Sequence, residues 1–438
     1  MNLTIENENY SASVVVLKHI FDIEGADFIK KTIVNGNSVI VSKDAKEGDK
    51  MIYFISGTAL SEDLCYNNNL FESKELNLDK DTRGYVSSKQ KRVRAIKLKG
   101  VTSDGLLLPV TAVNFFGVDG NSLQEGDAFT HVNGVEVCYK YVALSPAKSQ
   151  GSGTQKQKGP KLAQILVPGQ FRLHHETAHL GRNLFKLNLD DDIIITDKLH
   201  GSSVILSNVL VKRQLSLVER IAKYLGAAVV EEDYTGIYSS GKPKSGLPKG
   251  IISKWLNNGN SYYSYNVWKT CYDDFNYALQ KGITLYGEVV GSHIQKNFDY
   301  SKLHNRDGYG FLVYRITSTN VDGKVIEFTW NQIEEYCENY QLNTVPVVYK
   351  GTLRNWVNGA VSLENEADID QIRESIFEAM KKRYLEKNSP YCVNKMPAEG
   401  VCIRKERPYD VFKLKSDAFK LLENKNQEDG VADTEEEA

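Results

Sequence analysis

Cysteine is scarce and scattered in this 438-residue chain: Cys65, Cys138, Cys271, Cys337, Cys392 and Cys402 form no Cys-x-x-Cys pair. That spacing argues against structural zinc and against a disulfide framework. No apolar run approaches the length of a bilayer crossing, and Met1-Asn2-Leu3-Thr4-Ile5-Glu6 does not read as a signal peptide. A cytoplasmic protein without a membrane partner is expected. Net charge is nearly absent too, at −2. Spread evenly, that balance would disfavour nucleic acid, but acidic residues pool in Glu428-Asp429 and Glu435-Glu436-Glu437, while Lys89, Lys91, Arg92, Arg94, Lys97 and Lys99 crowd one N-terminal stretch. The acidic end, 425–438, reads as a disordered, solubilising tail.

With 41% apolar and 25% charged residues, the chain is long enough for two or more cores. Residues 1–145 read as β-rich: Ser11–Leu17, Ser38–Ser42, Lys50–Ile55 and Val93–Lys99 are short strand candidates between Gly, Asn and Asp turns. A small barrel closes such strands naturally. Segment 146–162 is rich in Gly, Ser, Gln and Lys, the composition of a flexible tether. A second unit follows over 163–424. Helices are expected around Val267 to Lys281 and from Asp368 to Leu385, where Ile369, Ile372, Ile376 and Met380 recur at helical spacing and read as packing residues. His174, His175 and His179 fall within six residues, but no second ligand pair accompanies them.

The most informative segment is Asp191-Asp192-Ile193-Ile194-Ile195-Thr196-Asp197-Lys198-Leu199-His200-Gly201-Ser202-Ser203, in which an apolar strand delivers one lysine to a strand end just before a glycine. A lysine attacks only as the free amine, so a nucleophilic one must be desolvated or placed beside other cations. Gly201 would allow close approach of a phosphate, and the Ser202 and Ser203 hydroxyls would serve a ribose or phosphate oxygen. A lysine in an ordinary strand-to-turn connection is the plain alternative.

Four further segments come in a telling order. Lys198-Leu199-His200-Gly201, Leu285-Tyr286-Gly287-Glu288-Val289-Val290-Gly291, Phe311-Leu312-Val313-Tyr314-Arg315-Ile316, Ala398-Glu399-Gly400-Val401-Cys402-Ile403-Arg404 and Phe412-Lys413-Leu414-Lys415-Ser416 together resemble the motifs of the covalent lysine-adenylating nucleotidyltransferases. Within them, the chain resembles the ATP-dependent RNA ligases of the nick-sealing type. Arg92-Val93-Arg94-Ala95-Ile96-Lys97-Leu98-Lys99 followed by Ser103-Asp104-Gly105 resembles the N-terminal OB domain of one group of these enzymes. Too little chain follows Lys415 to hold the C-terminal OB domain usual in DNA ligases and capping enzymes. The fold implied is α+β: an antiparallel-sheet nucleotidyltransferase (ATP-grasp-like ligase) domain preceded by an OB-fold β-barrel.

The resemblance implies a division of labour. Lys198 would attack the α-phosphate of ATP to form lysyl-AMP, with Lys413 and Lys415 on one strand face toward that phosphate. ATP would also meet Thr196, Gly201, Ser202, Glu288 and Phe311, the last stacking on adenine with Tyr309 as the alternative. Glu288 and Glu399 would hold Mg²⁺ or Mn²⁺, with His200 a further candidate. Arg92, Arg94, Lys97 and Lys99 would track an RNA backbone. Lys242 would substitute for the arginine that relatives place after Ser239-Ser240. The resemblance implies joining of RNA 3′-OH and 5′-phosphate ends, at nicks in a duplex, by a monomer. A ligase acting mainly on DNA ends and an idle OB-type nucleic-acid binder remain the alternatives.

Overall fold

The computed structural model describes residues 1–142, 165–174, 177–239, 244–245, 266–292, 294–295, 297–304, 306, 308–360 and 369–428. The expected tether, 146–162, lies outside the described residues, as do Lys242 and His175.

Alternating apolar and polar residues give the N-terminal unit its short strands: β1 (Ala12–Val16), β2 (Ile29–Val34), β3 (Asn37–Ser42), β4 (Lys50–Phe54), β5 (Ala95–Leu98), β6 (Val101–Asp104) and β7 (Leu106–Pro109). Every pairing among them is antiparallel, with β4 between β1 and β7, β2 against β3, and β5 against β6. Successive residues of a strand face opposite sides. On β4, Ile52 and Phe54 therefore join one cluster with Ala12, Val14 and Leu106, while Tyr53 enters another with Val39, Val41 and Leu107. The β2–β3 turn is Asn35-Gly36, both at positive φ (50° and 73°), the combination a two-residue hairpin favours.

The remainder of the chain forms two larger sheets. In chain order their main strands are β8 (Asp192–Lys198), β9 (Ser202–Lys212), β10 (Glu232–Ser239), β11 (Ile283–Val290), β12 (Gly310–Thr319), β13 (Val347–Thr352), β14 (Gly400–Lys405) and β15 (Asp410–Lys415). One sheet runs β15-β14-β8-β13 and the other β10-β9-β11-β12, all antiparallel. Short strands Ala178–His179 and Asn343–Thr344 add parallel pairings to β15 and β12. The fold class is α+β.

Helix α1 (Val267–Phe275) buries Val267, Cys271, Tyr272 and Phe275 against the second sheet. Helix α2 (Ile369–Tyr384) buries Ile376 and Met380 behind the first, where Ile193, Ile195, Val401 and Ile403 point. The apolar spacing in this helix is thus a packing stripe. Helix α3 (Asp417–Glu428) continues past residue 424. The first part of the acidic end, 425–428, is accordingly helical, because α3 packs Phe419 and Leu422 against the main core.

The N-terminal unit is docked on the C-terminal one. Arg182 donates to the carbonyls of Glu8 (2.8 Å) and Ser11 (2.5 Å) and to Ser13 Oγ (3.3 Å). Asn9 Nδ2 donates to Thr177 O at 3.4 Å. The Phe377 ring, 1% exposed, lies against Gly36, where an added Cβ would come within 2.3 Å of it. Gly36→Ala therefore combines a positive-φ penalty with a clash, and we expect it to lower stability to urea unfolding by about 1–3 kcal/mol. An unchanged unfolding midpoint would show that the turn is not pressed on Phe377.

Candidate active site

Strand register assembles the site. Lys198 ends β8 directly opposite Gly400, and Gly400 lies opposite Lys415 on the far side, so the two lysines flank one glycine. Thr196, Cys402 and Lys413 form the next cross-strand row. Cross-strand partners share a face, as do residues two apart, so Thr196, Lys198, Lys413 and Lys415 stand on one side of the sheet. Glu399, just before β14, has a side chain with 0% exposure; its Oε1 lies 2.6 Å from Lys198 Nζ and 3.4 Å from Lys415 Nζ. Neither contact is aimed well enough to count as a hydrogen bond at the carboxylate. They are ion pairs, and a buried carboxylate requires such compensation.

His200 brings its Nδ1 to 3.8 Å from Glu399 Oε2. Its ring is held edge-on between Phe298 (4.8 Å) and Phe419 (5.0 Å). The Tyr300 hydroxyl accepts from the His200 backbone N–H at 3.4 Å. Burial first, and then the charge of Glu399, pushes that phenol well above its ordinary value.

The second sheet supplies the opposite wall. Glu288 on β11 stands opposite Ser203 and Leu312, so these three share a face. Ser203 Oγ is 3.2 Å from the Tyr314 hydroxyl, and Tyr314 is raised above the ordinary phenol value by burial and then by Glu288. His174 stacks edge-on to Tyr314 at 5.1 Å. His179 instead meets Tyr10 of the N-terminal unit at 5.8 Å, and Lys413 Nζ lies 6.0 Å from the same ring. The nearby histidines thus diverge.

Several expected contacts are corrected by this register. Phe311 lies opposite Val289, on the face away from Glu288. Its ring is 2% exposed and packs on Phe275 of α1 at 5.4 Å. Tyr309 is likewise buried, with its hydroxyl donated to Asp274. A bulge interrupts the alternation of β12 at Tyr314, and its hydroxyl, 3.2 Å from Ser203 Oγ, makes it the aromatic of β12 on the Glu288 side. Ser202 is 0% exposed and points with Val204 into the core, leaving Ser203 as the hydroxyl on the Glu288 side. Gly201 is closely covered by protein: a Cβ there would meet Val289 O at 2.4 Å and Glu288 Cγ at 2.8 Å. Its lack of a side chain admits the carboxylate.

The basic stretch divides as well. Arg92 is 7% exposed and lies over the Tyr141 ring at 5.3 Å, so it cannot run along a nucleic-acid backbone. Arg94 is paired with Glu72 at 3.3 Å. Lys97 and Lys99 remain exposed, on β5 and at the tip of the β5–β6 hairpin.

Glu288 and Glu399 are oxygen donors of the kind a hard divalent cation takes. Among the described residues no three His, Cys, Asp or Glu side chains gather into a metal cage, so Glu288, Glu399 and His200 do not form one. Two buried carboxylates fit an ion held largely by water and substrate phosphate.

The RNA ligase family profile matches residues 191–422, and an OB-fold domain profile matches residues 11–110. No curated protein matches the chain. Among solved structures the chain is similar to variants of Naegleria gruberi RNA ligase. One with AMP and Mn has a TM-score of 0.56 at 17% identity, covering 94% of this chain and 98% of that one. Another with ATP and Mn has 0.55 at 17%, with the same coverage, and an apo variant has 0.54 at 16%, again covering 94% and 98%. At that identity the likeness establishes a common fold.

Asp197, beside the candidate nucleophile, faces Tyr391 and Lys387; burial pushes its carboxyl up to about 6 against their opposing influence. A raised folded-state value means that the neutral acid stabilises the fold. That contribution is complete below the unfolded carboxyl's pKa near 4 and is lost as pH rises to about 6. Asp197→Asn should therefore gain on the wild type by about 2–3 kcal/mol between pH 4 and pH 7. Urea melts across that range check it, and a constant difference would refute the assignment.

Proposed function

The chain belongs to the RNA ligase family, and from that premise we propose that it seals RNA ends with ATP through a lysyl-AMP intermediate. The observation that carries this reading is the buried Glu399 carboxylate, placed between Lys198 and Lys415 at 2.6 and 3.4 Å. An amine awaiting an electrophile gains little from a permanent ion pair. Were a divalent cation held by Glu399, the carboxylate would no longer stabilise the Lys198 ammonium, which would lose its proton to solvent and leave the free amine.

In the first step a bond forms between Lys198 Nζ and the α-phosphorus, the bond to the β-phosphate oxygen breaks, and pyrophosphate departs. The amine proton passes to solvent or to a nearby carboxylate. Lys413 and Lys415, on the face that Lys198 shares, counter the charge growing on the phosphate oxygens. Mg²⁺ or Mn²⁺ held by Glu288 and Glu399 would supply further neutralisation of phosphate charge. His200, held between two aromatic rings, brings its Nδ1 to 3.8 Å from Glu399 Oε2. Tyr314 and Ser203 flank the Glu288 side, where adenosine binds. AMP then passes to an RNA 5′-phosphate, and a 3′-hydroxyl displaces it to form the phosphodiester.

We assign RNA contact to the N-terminal unit, residues 1–145, through Lys97 and Lys99, and place the transferase within 163–424. Nicks in a duplex are the proposed substrate and a cytoplasmic monomer the proposed form. The six cysteines are free thiols, which suits a reducing compartment.

Wild-type protein incubated with α-labelled ATP and Mg²⁺ should acquire label and one AMP in intact mass, and Lys198→Ala none. Lys415→Ala and Glu399→Ala should slow labelling about 10²–10³-fold. Absence of label on the wild type would point to an idle binder. Ligation assays on nicked duplexes with RNA or DNA 3′-hydroxyl ends then separate the RNA reading from a DNA ligase. For the adenine wall, Tyr314→Ala should raise the ATP requirement by the equivalent of about 1–3 kcal/mol, whereas Phe311→Leu should lower the unfolding midpoint and leave the ATP requirement alone. The reverse pattern would restore Phe311 to the nucleotide.

A further inference from the structure

Helix α3 follows Lys415 after a single residue and carries two adjacent rows of side chains, each spaced i, i+4. The first row, Phe419 and Glu423, faces the catalytic lysine. Glu423 Oε1 lies 3.2 Å from Lys415 Nζ, and the Phe419 ring is 5.2 Å from the same ammonium and 5.0 Å from the His200 ring. The second row, Lys420 and Asn424, faces the N-terminal unit. Lys420 Nζ is paired with Asp104 at the end of β6, and Asn424 Nδ2 donates to Ala95 O on β5 at 2.6 Å. Both contacts are sheltered: the Asp104 side chain is 2% exposed and that of Lys420 12%. Asp104 is itself held by the Ser56 hydroxyl. Burial works against the Lys420 ammonium, yet Asp104 and then Asp417 hold its pKa above the ordinary value.

We propose that Asp104, Lys420 and Asn424 form a latch through which the N-terminal unit sets the rotation of α3, making Glu423 the positioning residue for Lys415. The latch acts beyond RNA binding: the docked N-terminal unit contributes to AMP transfer before any RNA arrives. The physical reason lies in Lys415 itself, which stands between two carboxylates, Glu399 at 3.4 Å and Glu423 at 3.2 Å. Glu423 holds one side of the ammonium, so that when Glu399 turns to other partners Lys415 keeps its place beside the α-phosphate. A helix free to rotate about its axis would carry Glu423 away and let the long lysine chain relax. Displacements of about 1 Å in such a group cost on the order of 10²-fold in rate. This inference rests on the ligase reading above.

The test is single-turnover transfer of AMP from α-labelled ATP to the full-length protein, measured over a range of ATP concentrations without RNA. Asp104→Asn, Lys420→Met and Glu423→Gln should each slow transfer at saturating ATP by about tenfold or more, with the half-saturating ATP concentration changed far less. Lys420→Arg should restore most of the rate. The Asp104→Asn/Glu423→Gln double variant should be no slower than its slower parent, since both changes break one path. Gly36→Ala, which strains the dock at Phe377 instead, should lower stability without this rate loss and so separates a loosened dock from a broken latch. Wild-type rates in Asp104→Asn and Lys420→Met, or multiplicative losses in the double variant, overturn the latch alone. A wild-type protein that takes no label overturns the ligase reading and the latch together.

Discussion

A single buried carboxylate organises this protein. Glu399 is fully enclosed, and a carboxylate in such a place requires cations brought close to it. Lys198 from the end of β8, Lys415 from the end of β15 and His200 from the turn after β8 all converge on it. Two stretches distant in sequence, 198–200 and 399–415, are thereby tied to one point. The arrangement is costly as structure alone, because hydrophobic residues of similar volume would fill the space with less desolvation. The proposed chemistry gives it a use, as a redistributable set of charges that would receive a phosphate.

The sheets make that convergence possible. β14 lies between β8 and β15, so its residues are one strand spacing from both lysines, and a Cβ at Gly400 would strike the backbone of β15 at Leu414. Behind the sheet, Ile193, Ile195, Val401 and Ile403 seal it against α2. In front, the second sheet turns Glu288, Ser203 and Tyr314 toward the lysines. Chain connectivity also brings α3 directly after Lys415, which links that lysine to the docked N-terminal unit.

Much of this was legible in the order of residues. An isoleucine run ending in Lys198, a glutamate before a glycine at Glu399 and a pair of lysines two apart on an alternating strand each state their local geometry, since period two places Lys413 and Lys415 on one face. The β-hairpins of the N-terminal unit and the stripe on α2 were readable for the same reason: backbone periodicity is local. The family resemblance joined these segments into one reading that their separate patterns would not have supported.

The rest depended on pairing. Phe311 is turned from Glu288 by its pairing with Val289, whereas Tyr314 is the extra residue of a bulge between β11 and β12, which local alternation does not announce. Strand parity sends Ser202 inward and Ser203 outward. Arg92 looked like an exposed cation because its neighbours are basic, but only the folded chain brings Tyr141 over it. Docking of the N-terminal unit rests on Arg182, Lys420 and Phe377 meeting partners some hundreds of residues away. Local composition therefore determined which residues are able to do the chemistry and where strands and helices begin. Tertiary structure decided which of those residues face one another, because strand register and domain contact are long-range choices that no single segment encodes.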